Sequence, residues 1–466
     1  MLGSFHNQDF CAMTPMNLIR KYNVPGPRYT SYPTVPHWNA VAPTQEEWKE
    51  TMLETFTLFN DSEGLSIYVH LPYCESLCTY CGCNTRITVN HKVEIPYIQA
   101  VLKEWEMVVS ALGEKPNIKE IHLGGGTPTF FSPENLKLLI DGLLELGMPM
   151  ENVEFGFEGH PNNTTLEHLI ALYNLGFRRL SLGIQDFDPI VQDVINRIQP
   201  VENVERVTRQ AREIGYTSVN YDLIYGLPMQ TLNSIEQTIN HVIQLKPDRI
   251  AFYSYAHVPW IKPGQRKFTE LDLPDDATKR ALYENGRSML ENAGYLEVGM
   301  DHFALEQDEL YQAFKENRLH RNFMGYTTFS THLLVGLGVS AISDSWLAFA
   351  QNEKKVEEYI QRINNNELPI FKGHLLTNDD LTIRHHILNL MCTFETDWSN
   401  PEYQCADLFA GLARLEGLIE DELVVLDSYS LKVTEKGKPF VRNVCMAFDA
   451  KLWASKSSTQ LFSKVI

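Results

Sequence analysis

No apolar run in the 466 residues approaches the roughly 18–20 needed to cross a bilayer as a helix. Met1–Gln8 has neither the basic stretch nor the apolar core of a secretion signal, so export is not expected. Cysteine is scarce. Eight in a chain of this length cannot staple a fold, and a reducing, cytoplasmic setting suits them. Positive charge is also short, with 40 Lys and Arg against 59 Asp and Glu and a formal net charge of −19, which excludes broad affinity for nucleic acid or an anionic membrane. Gly and Pro, at 27 and 23, stay near ordinary levels, and 44% hydrophobic residues suit a folded globular protein. Collagen-like, coiled-coil and largely disordered readings fall away.

The chain exceeds the usual single-core limit of about 250–300 residues, so one large domain with smaller attachments is expected. Residues 1–60 read as an extended arm: Lys21 to Thr34 carries Pro25, Pro27 and Pro33, which disfavour helix. Within residues 1–40, Arg20, Lys21 and Arg28 oppose a lone Asp9, so this arm is locally basic and suited to covering an anionic ligand or simply to lying on the surface. Residues 61–300 repeat a strand, a turn and a helix, with strands expected at Leu65–Leu71, Glu120–Leu123, Glu154–Glu158, Arg179–Gln185, Ser218–Ile224 and Arg249–Tyr255. Gly176, Gly215 and Gly294 sit where each helix should end. The pattern predicts an α/β fold built on a parallel sheet curved into a full or partial barrel, with its chemistry at the carboxyl ends of the strands. Residues 301–368 read as an extension closing the site. Pro369–Thr377 reads as a linker, and residues 369–466 as a small, mostly helical C-terminal domain with a short hairpin near Leu431–Lys438.

Cys74, Cys78, Cys81 and Cys83 crowd directly behind the first strand, while Cys11, Cys392, Cys405 and Cys445 are scattered and read as buried or inert thiols. A C-x3-C-x2-C spacing lets one loop direct three thiolates at three irons of a cubane and leaves a fourth iron open to a ligand. The competing reading is structural zinc. It normally uses two separated ligand pairs, and no second pair follows at 12–20 residues. Gly124-Gly125-Gly126-Thr127-Pro128 ends the second strand without the Lys-Ser/Thr of a phosphate loop. It is either a tight turn or a place where backbone closely approaches a ligand. Gly336–Ala341 matches a dinucleotide pattern but lacks the strand, helix and later acid that would support NAD binding.

The cysteine loop, with Tyr80 before its third cysteine, resembles that of the radical S-adenosylmethionine (SAM) superfamily, whose typical fold is a partial (β/α)6 TIM-like barrel. The resemblance implies a [4Fe-4S] cluster on Cys74, Cys78 and Cys81, with SAM on the open iron and the GGGTP turn touching its methionyl part. Arg28-Tyr-Thr-Ser-Tyr-Pro33, Tyr68-Val-His70, Gly183-Ile-Gln185-Asp186, Asp222-Leu-Ile-Tyr-Gly-Leu-Pro228, Gly299-Met-Asp301-His302 and His320-Arg321-Asn322 further resemble the oxygen-independent coproporphyrinogen III oxidase family, from about residue 15 to the C-terminus. The related haem-chaperone branch usually has an aromatic at Cys83 and lacks the Arg-Tyr-Thr-Ser-Tyr-Pro arm.

That family resemblance implies decarboxylation of two propionates of coproporphyrinogen III to vinyls, giving protoporphyrinogen IX for haem biosynthesis by a 5′-deoxyadenosyl radical. The alternatives are a haem-trafficking chaperone, a radical SAM enzyme with another tetrapyrrole substrate, or a zinc-stabilised binding protein. It implies two SAM molecules, the first at Tyr68, Gly125, Glu158 and Ile342, the second at Tyr80, Gly126, Thr127, Gln185, Arg197, Asp222 and Ala256. His70 is expected beside the cofactor, and Arg28, His320 and Arg321 at the substrate's propionates, because buried carboxylates need cations. A flavodoxin- or ferredoxin-like electron donor, a separate electron acceptor and a monomeric state complete the expectation. The family's acid after the Glu158 turn is His160 here, and its glutamine before Gly325 is Met324.

Overall fold

The computed structural model describes residues 16–455 and 461–465. The first fifteen residues of the expected arm, Cys11 among them, lie outside these. Among the described residues no helix is long and apolar enough to cross a membrane.

Twelve strands form one open sheet: β1 (Leu65–Leu71), β2 (Asn117–Gly125), β3 (Met148–Gly159), β4 (Arg179–Gln185), β5 (Ser218–Tyr225), β6 (Arg249–Ser254), β7 (Tyr295–Val298), β8 (His302–Leu305), β9 (Leu334–Leu337), β10 (Ile342–Asp344), β11 (Ala348–Asn352) and β12 (Ile370–Leu375). Their spatial order is β12-β11-β10-β9-β1-β2-β3-β4-β5-β6-β8-β7. β1 to β6 are parallel, and β9 returns to lie parallel to β1 on its other side. The two ends of the sheet do not pair, so the barrel is partial, as expected.

Alternation along these strands sorts the side chains. Ile67, Val69, Ile121, Leu123, Phe155, Phe157, Leu180, Leu182, Val219, Tyr221, Ile250 and Phe252 pack in one continuous core with residues of the surrounding helices, such as Val101, Trp105, Leu139 and Ile235. The opposite face is polar: Tyr68 is level with His122, and Glu158, Ser181 and Asn220 are level with one another on successive strands, with Asp222 two residues further along. Gly176, Gly215 and Gly294 all have positive φ, the left-handed turn expected before the next strand.

Three features depart from the sequence pattern. A helix at Gln45–Phe59 occupies the end of the arm, started by a reciprocal Thr44 and Glu47 cap. The parallel set includes β9, which carries no apolar run of ordinary strand length. The stretch read as a linker holds β12, an edge strand of the sheet, paired with β11. The helix capped by Thr377 and Asp380 is as expected, and the hairpin text forms a three-stranded sheet of Glu395–Asp397, Ser430–Val433 and Val424–Leu426.

The turn after β9 is anchored by buried Glu104, whose carboxylate accepts from Gly338 N at 2.8 Å, Tyr359 Oη at 2.6 Å and Asn352 Nδ2 at 2.6 Å. Burial pushes Glu104 up to about 7 against these bonds. A raised carboxyl stabilises the fold fully below its unfolded value near 4.5 and loses that contribution as pH rises toward 7. Urea midpoints of wild type and Glu104→Gln, measured from pH 4.5 to 8, are therefore expected to diverge in slope, with the wild type losing stability more steeply as pH rises.

Candidate active site

The cysteine loop is pinned at both ends. Tyr73–Cys74 pairs in parallel with Arg86–Ile87, closing the excursion between them. From outside, Thr79 N donates to Ile195 O at 2.9 Å, Asn196 Nδ2 to Leu77 O at 2.8 Å, Gln265 Nε2 to Tyr80 O at 2.9 Å and Lys262 Nζ to Cys83 O at 3.1 Å. Each thiol has a donor: Thr127 Oγ1 to Cys74 Sγ at 3.3 Å, Arg197 Nη1 to Cys78 Sγ at 3.5 Å, and Cys83 N to Cys81 Sγ at 3.4 Å. All three cysteines are free.

They open onto a cavity of about 730 Å³ at the carboxyl ends of β1 to β6, within the range of ordinary ligand pockets. Of the expected cofactor residues, Tyr80, Gly125, Gly126, Thr127, Glu158, Gln185, Arg197 and Asp222 line it together with the three cysteines. Tyr68, Ala256 and Ile342 are not part of its wall. Tyr68 lies deeper, stacked on His122 with its hydroxyl 3.2 Å from His70 Nδ1. Ala256 O accepts from Gln265 Nε2, and Ile342 lies on β10.

The GGGTP turn is shaped first by the protein itself. A Cβ at Gly125, which has φ +112°, would strike the His70 ring, and one at Gly126 would strike the Pro72 carbonyl. Close packing of this turn over β1 is what brings Thr127 to Cys74. His70 is buried, its Nε2 lies 2.8 Å from Asn84 O, and burial lowers its pKa.

Two carboxylates face the cavity in different states. Burial raises Glu158, but His122, the Gly125 N–H and His70 outweigh it, so the group lies below the usual carboxyl range. Burial and the neighbouring Glu158 push Asp222 up to about 6, although Asn220 and Ser181 hydrogen-bond to it. His160, in the place where an acid was expected, is driven down to about 2 by burial and Arg197, and is therefore neutral. Arg197 binds Gly183 O and Cys78, and its buried Nε has no partner among the described residues.

Arg28 and Arg321 come together, since Arg321 Nη2 lies 3.5 Å from Arg28 O. His320 is apart from them, beside Arg384 and His332, where burial drives it down to about 3. Met324 lines a second, smaller cavity in the barrel interior with His122, Asn220 and His302. Sequence reasoning missed Tyr253, which lines both cavities; strict alternation from Arg249 through Ala251 would have marked it as inward-facing.

The donor set suits a cluster. Three thiols on one loop adjoin a glycine turn and a buried guanidinium that keeps one free N–H, Nε. Residues 68–242 match the Radical SAM superfamily. An oxygen-independent coproporphyrinogen III oxidase of Escherichia coli is 40% identical over 96% of this chain and 98% of its own length. The chain belongs to the oxygen-independent coproporphyrinogen III oxidase family. The Synechocystis oxidase is 37% identical over the whole of both chains. The solved structure of the E. coli coproporphyrinogen III oxidase, a radical SAM enzyme, superposes with a TM-score of 0.86 at 36% identity, covering 94% of this chain and 98% of that one.

Cys74→Ser, Cys78→Ser and Cys81→Ser are each expected to abolish the visible iron–sulfur absorption of anaerobically reconstituted protein, whereas Cys392→Ala, in the buried core, keeps it.

Proposed function

We propose that this chain performs the oxygen-independent oxidative decarboxylation of two propionates of coproporphyrinogen III, giving protoporphyrinogen IX. The observation that carries this reading is the convergence of three thiols, the glycine turn and the polar ends of β2 to β5 on one cavity, in a chain kin to the oxidases over its full length. For each propionate, loss of a hydrogen atom from the β-carbon, of carbon dioxide and of one electron leaves a vinyl group. An unactivated C–H bond resists ordinary acid–base chemistry, and the [4Fe-4S] cluster and SAM, when bound, supply the radical chemistry that breaks it.

The chain's own residues bind, orient and shield. Cys74, Cys78 and Cys81 hold the cluster. Two SAM molecules are assigned, one to Tyr68, Gly125, Glu158 and Ile342, the other to Tyr80, Gly126, Thr127, Gln185, Arg197, Asp222 and Ala256. Arg197 has a free Nε–H that can donate to a ligand carboxylate, and Glu158 and Asp222 can accept from hydroxyl or ammonium groups. The arm residue Arg28 covers the end of β6 and helps to keep water from the reacting carbon. The enzyme acts as a cytoplasmic monomer served by a flavodoxin- or ferredoxin-like electron donor and a separate acceptor.

Reconstituted protein incubated anaerobically with coproporphyrinogen III, SAM, a reductant and an acceptor is expected to yield protoporphyrinogen IX and 5′-deoxyadenosine together. 5′-Deoxyadenosine without the porphyrinogen would move the substrate elsewhere. Arg197→Met is expected to retain the cluster and lower turnover about a hundredfold or more, as removal of a charged hydrogen-bond donor does.

A further inference from the structure

Beside the cavity, at the end of β6, consecutive backbone carbonyls each bind a cation. Ser254 O accepts from Arg28 Nη2 at 2.7 Å, and Tyr255 O from Lys279 Nζ at 3.2 Å. Arg28 comes from the arm, whereas Lys279 comes from the helix Asp276–Asn292 and lies over Gly226, where a Cβ would meet its methylenes. Arg321, beside Arg28, is 7% exposed, and its Nε and Nη1 have no hydrogen-bond partner among the described residues. A buried guanidinium with two idle donors costs free energy unless a ligand engages them.

The charges around these three groups do not balance. Asp301 is the carboxylate that Arg28 and Arg321 share, and it is already hydrogen-bonded to His302 Nδ1 at 2.7 Å. Asp276, an acid that acts on Lys279, is held by Lys464 at 2.8 Å. Arg442 adds a further buried cation, but its donors go to Pro27 O, Val465 O and Gly26 O. Burial, with Arg28 and Arg442 nearby, lowers Lys279 to about 8, the mark of a cation short of counter-charge. Arg28 and Lys279 are only half-buried, so both can be reached from outside the core. Tyr253 connects the two places: its ring lines the cavity near Asp222, and its hydroxyl feels Arg321 and Arg28.

We propose that Arg28, Lys279 and Arg321 form a seat for the substrate carboxylates that are not being converted, with Lys279 as an anchoring residue. This rests on the proposed function. Coproporphyrinogen III brings four carboxylates and loses two, so a seat of this kind holds the macrocycle while a different propionate faces the cavity. Guanidinium and ammonium groups converging at one edge select a polycarboxylate over a neutral ring of the same shape.

The test uses reconstituted holoenzyme and coproporphyrin III, the stable oxidised tetracarboxylate, with binding followed by fluorescence and turnover of coproporphyrinogen III measured alongside. Lys279→Met is expected to weaken binding about tenfold to a hundredfold, the size of one lost charge-assisted bond. KM should rise more than kcat falls. Protoporphyrin IX, which keeps two carboxylates, should lose affinity as well, whereas the tetramethyl ester of coproporphyrin III should bind wild type and variant alike. Unchanged cluster absorption marks an intact site, and Arg28→Gln supplies the same readout should Lys279→Met fold poorly. Lys267→Met, at the exposed end of the short helix Pro263–Lys267, should behave as wild type. A wild type that makes protoporphyrinogen IX while both variants keep its KM and coproporphyrin affinity would overturn the seat and leave the function standing. A wild type that cleaves SAM but neither binds coproporphyrin nor makes protoporphyrinogen IX would overturn both.

Discussion

Three thiols within eight consecutive residues can serve one cluster only if something outside the loop holds the backbone between them. Left alone, so short a segment would collapse or fan its side chains apart, since nothing local fixes its dihedrals. Here the restraint comes from the segment around Ile195 and Asn196, which binds the loop at Thr79 and Leu77, and from Gln265 and Lys262, which hold Tyr80 O and Cys83 O. Each bond is worth only about 1 kcal/mol net. Their effect is geometric, because they come from two segments that follow different strands and so tie the loop to the barrel. The same stretch that positions Asn196 also carries Arg197, so one turn both shapes the cysteine loop and gives the cavity its buried cation.

The polar barrel interior follows from a simple asymmetry. Helices cover one face of the parallel strands and take the apolar residues, which leaves alternate positions free to be polar wherever the strands open upward. This arrangement sets two acids in different environments a few strands apart. Glu158 meets His122 and a backbone N–H and stays ionised, whereas Asp222 meets amide and hydroxyl donors and the field of Glu158, so that it holds a proton to higher pH. A ligand reaching the cavity therefore meets one fixed anion and one group whose charge adjusts at about pH 6.

Legibility in the sequence tracked how much each element depends on distant partners. β1 and β4 are read to the residue, because an apolar run bounded by turns and flanked by helices leaves little choice. β3 extends back to Met148 through the polar text Met-Pro-Met-Glu-Asn because Asn117 and Ile118 of β2 pair with it, and that partnership is invisible to periodicity. β9 is four residues containing Gly336, too short and too glycine-rich to read as a barrel strand. Its place is set by pairing with β1. At the site, residues embedded in motifs were readable: the cysteines, the glycine turn, Glu158, Arg197 and Asp222. Tyr253 was hidden by the continuous apolar text Ile-Ala-Phe-Tyr. His320 and Arg321 were both expected, with Arg28, at the substrate's propionates, yet neighbouring residues on an extended strand point to opposite faces, and the two part accordingly.

An open barrel must be completed from elsewhere, and here the arm is held chiefly by the chain's other end. Arg442 spans the carbonyls of Gly26 and Pro27, Tyr29 Oη donates to Asp449, and Lys21 pairs with Asp421. Leu18, Ile19, Tyr29 and Tyr32 are buried in the same core as Ile387, Leu390, Val441 and Phe448. The arm's register on the barrel is therefore fixed by a C-terminal hydrophobic core, and its Arg28 reaches the end of β6. A basic side chain carried by a free arm would lose much of its binding energy to the entropy of ordering a long segment. Docked between a buried arginine and a packed core, that segment is ordered before any ligand arrives, so attraction at Arg28 is not spent on ordering the chain that presents it.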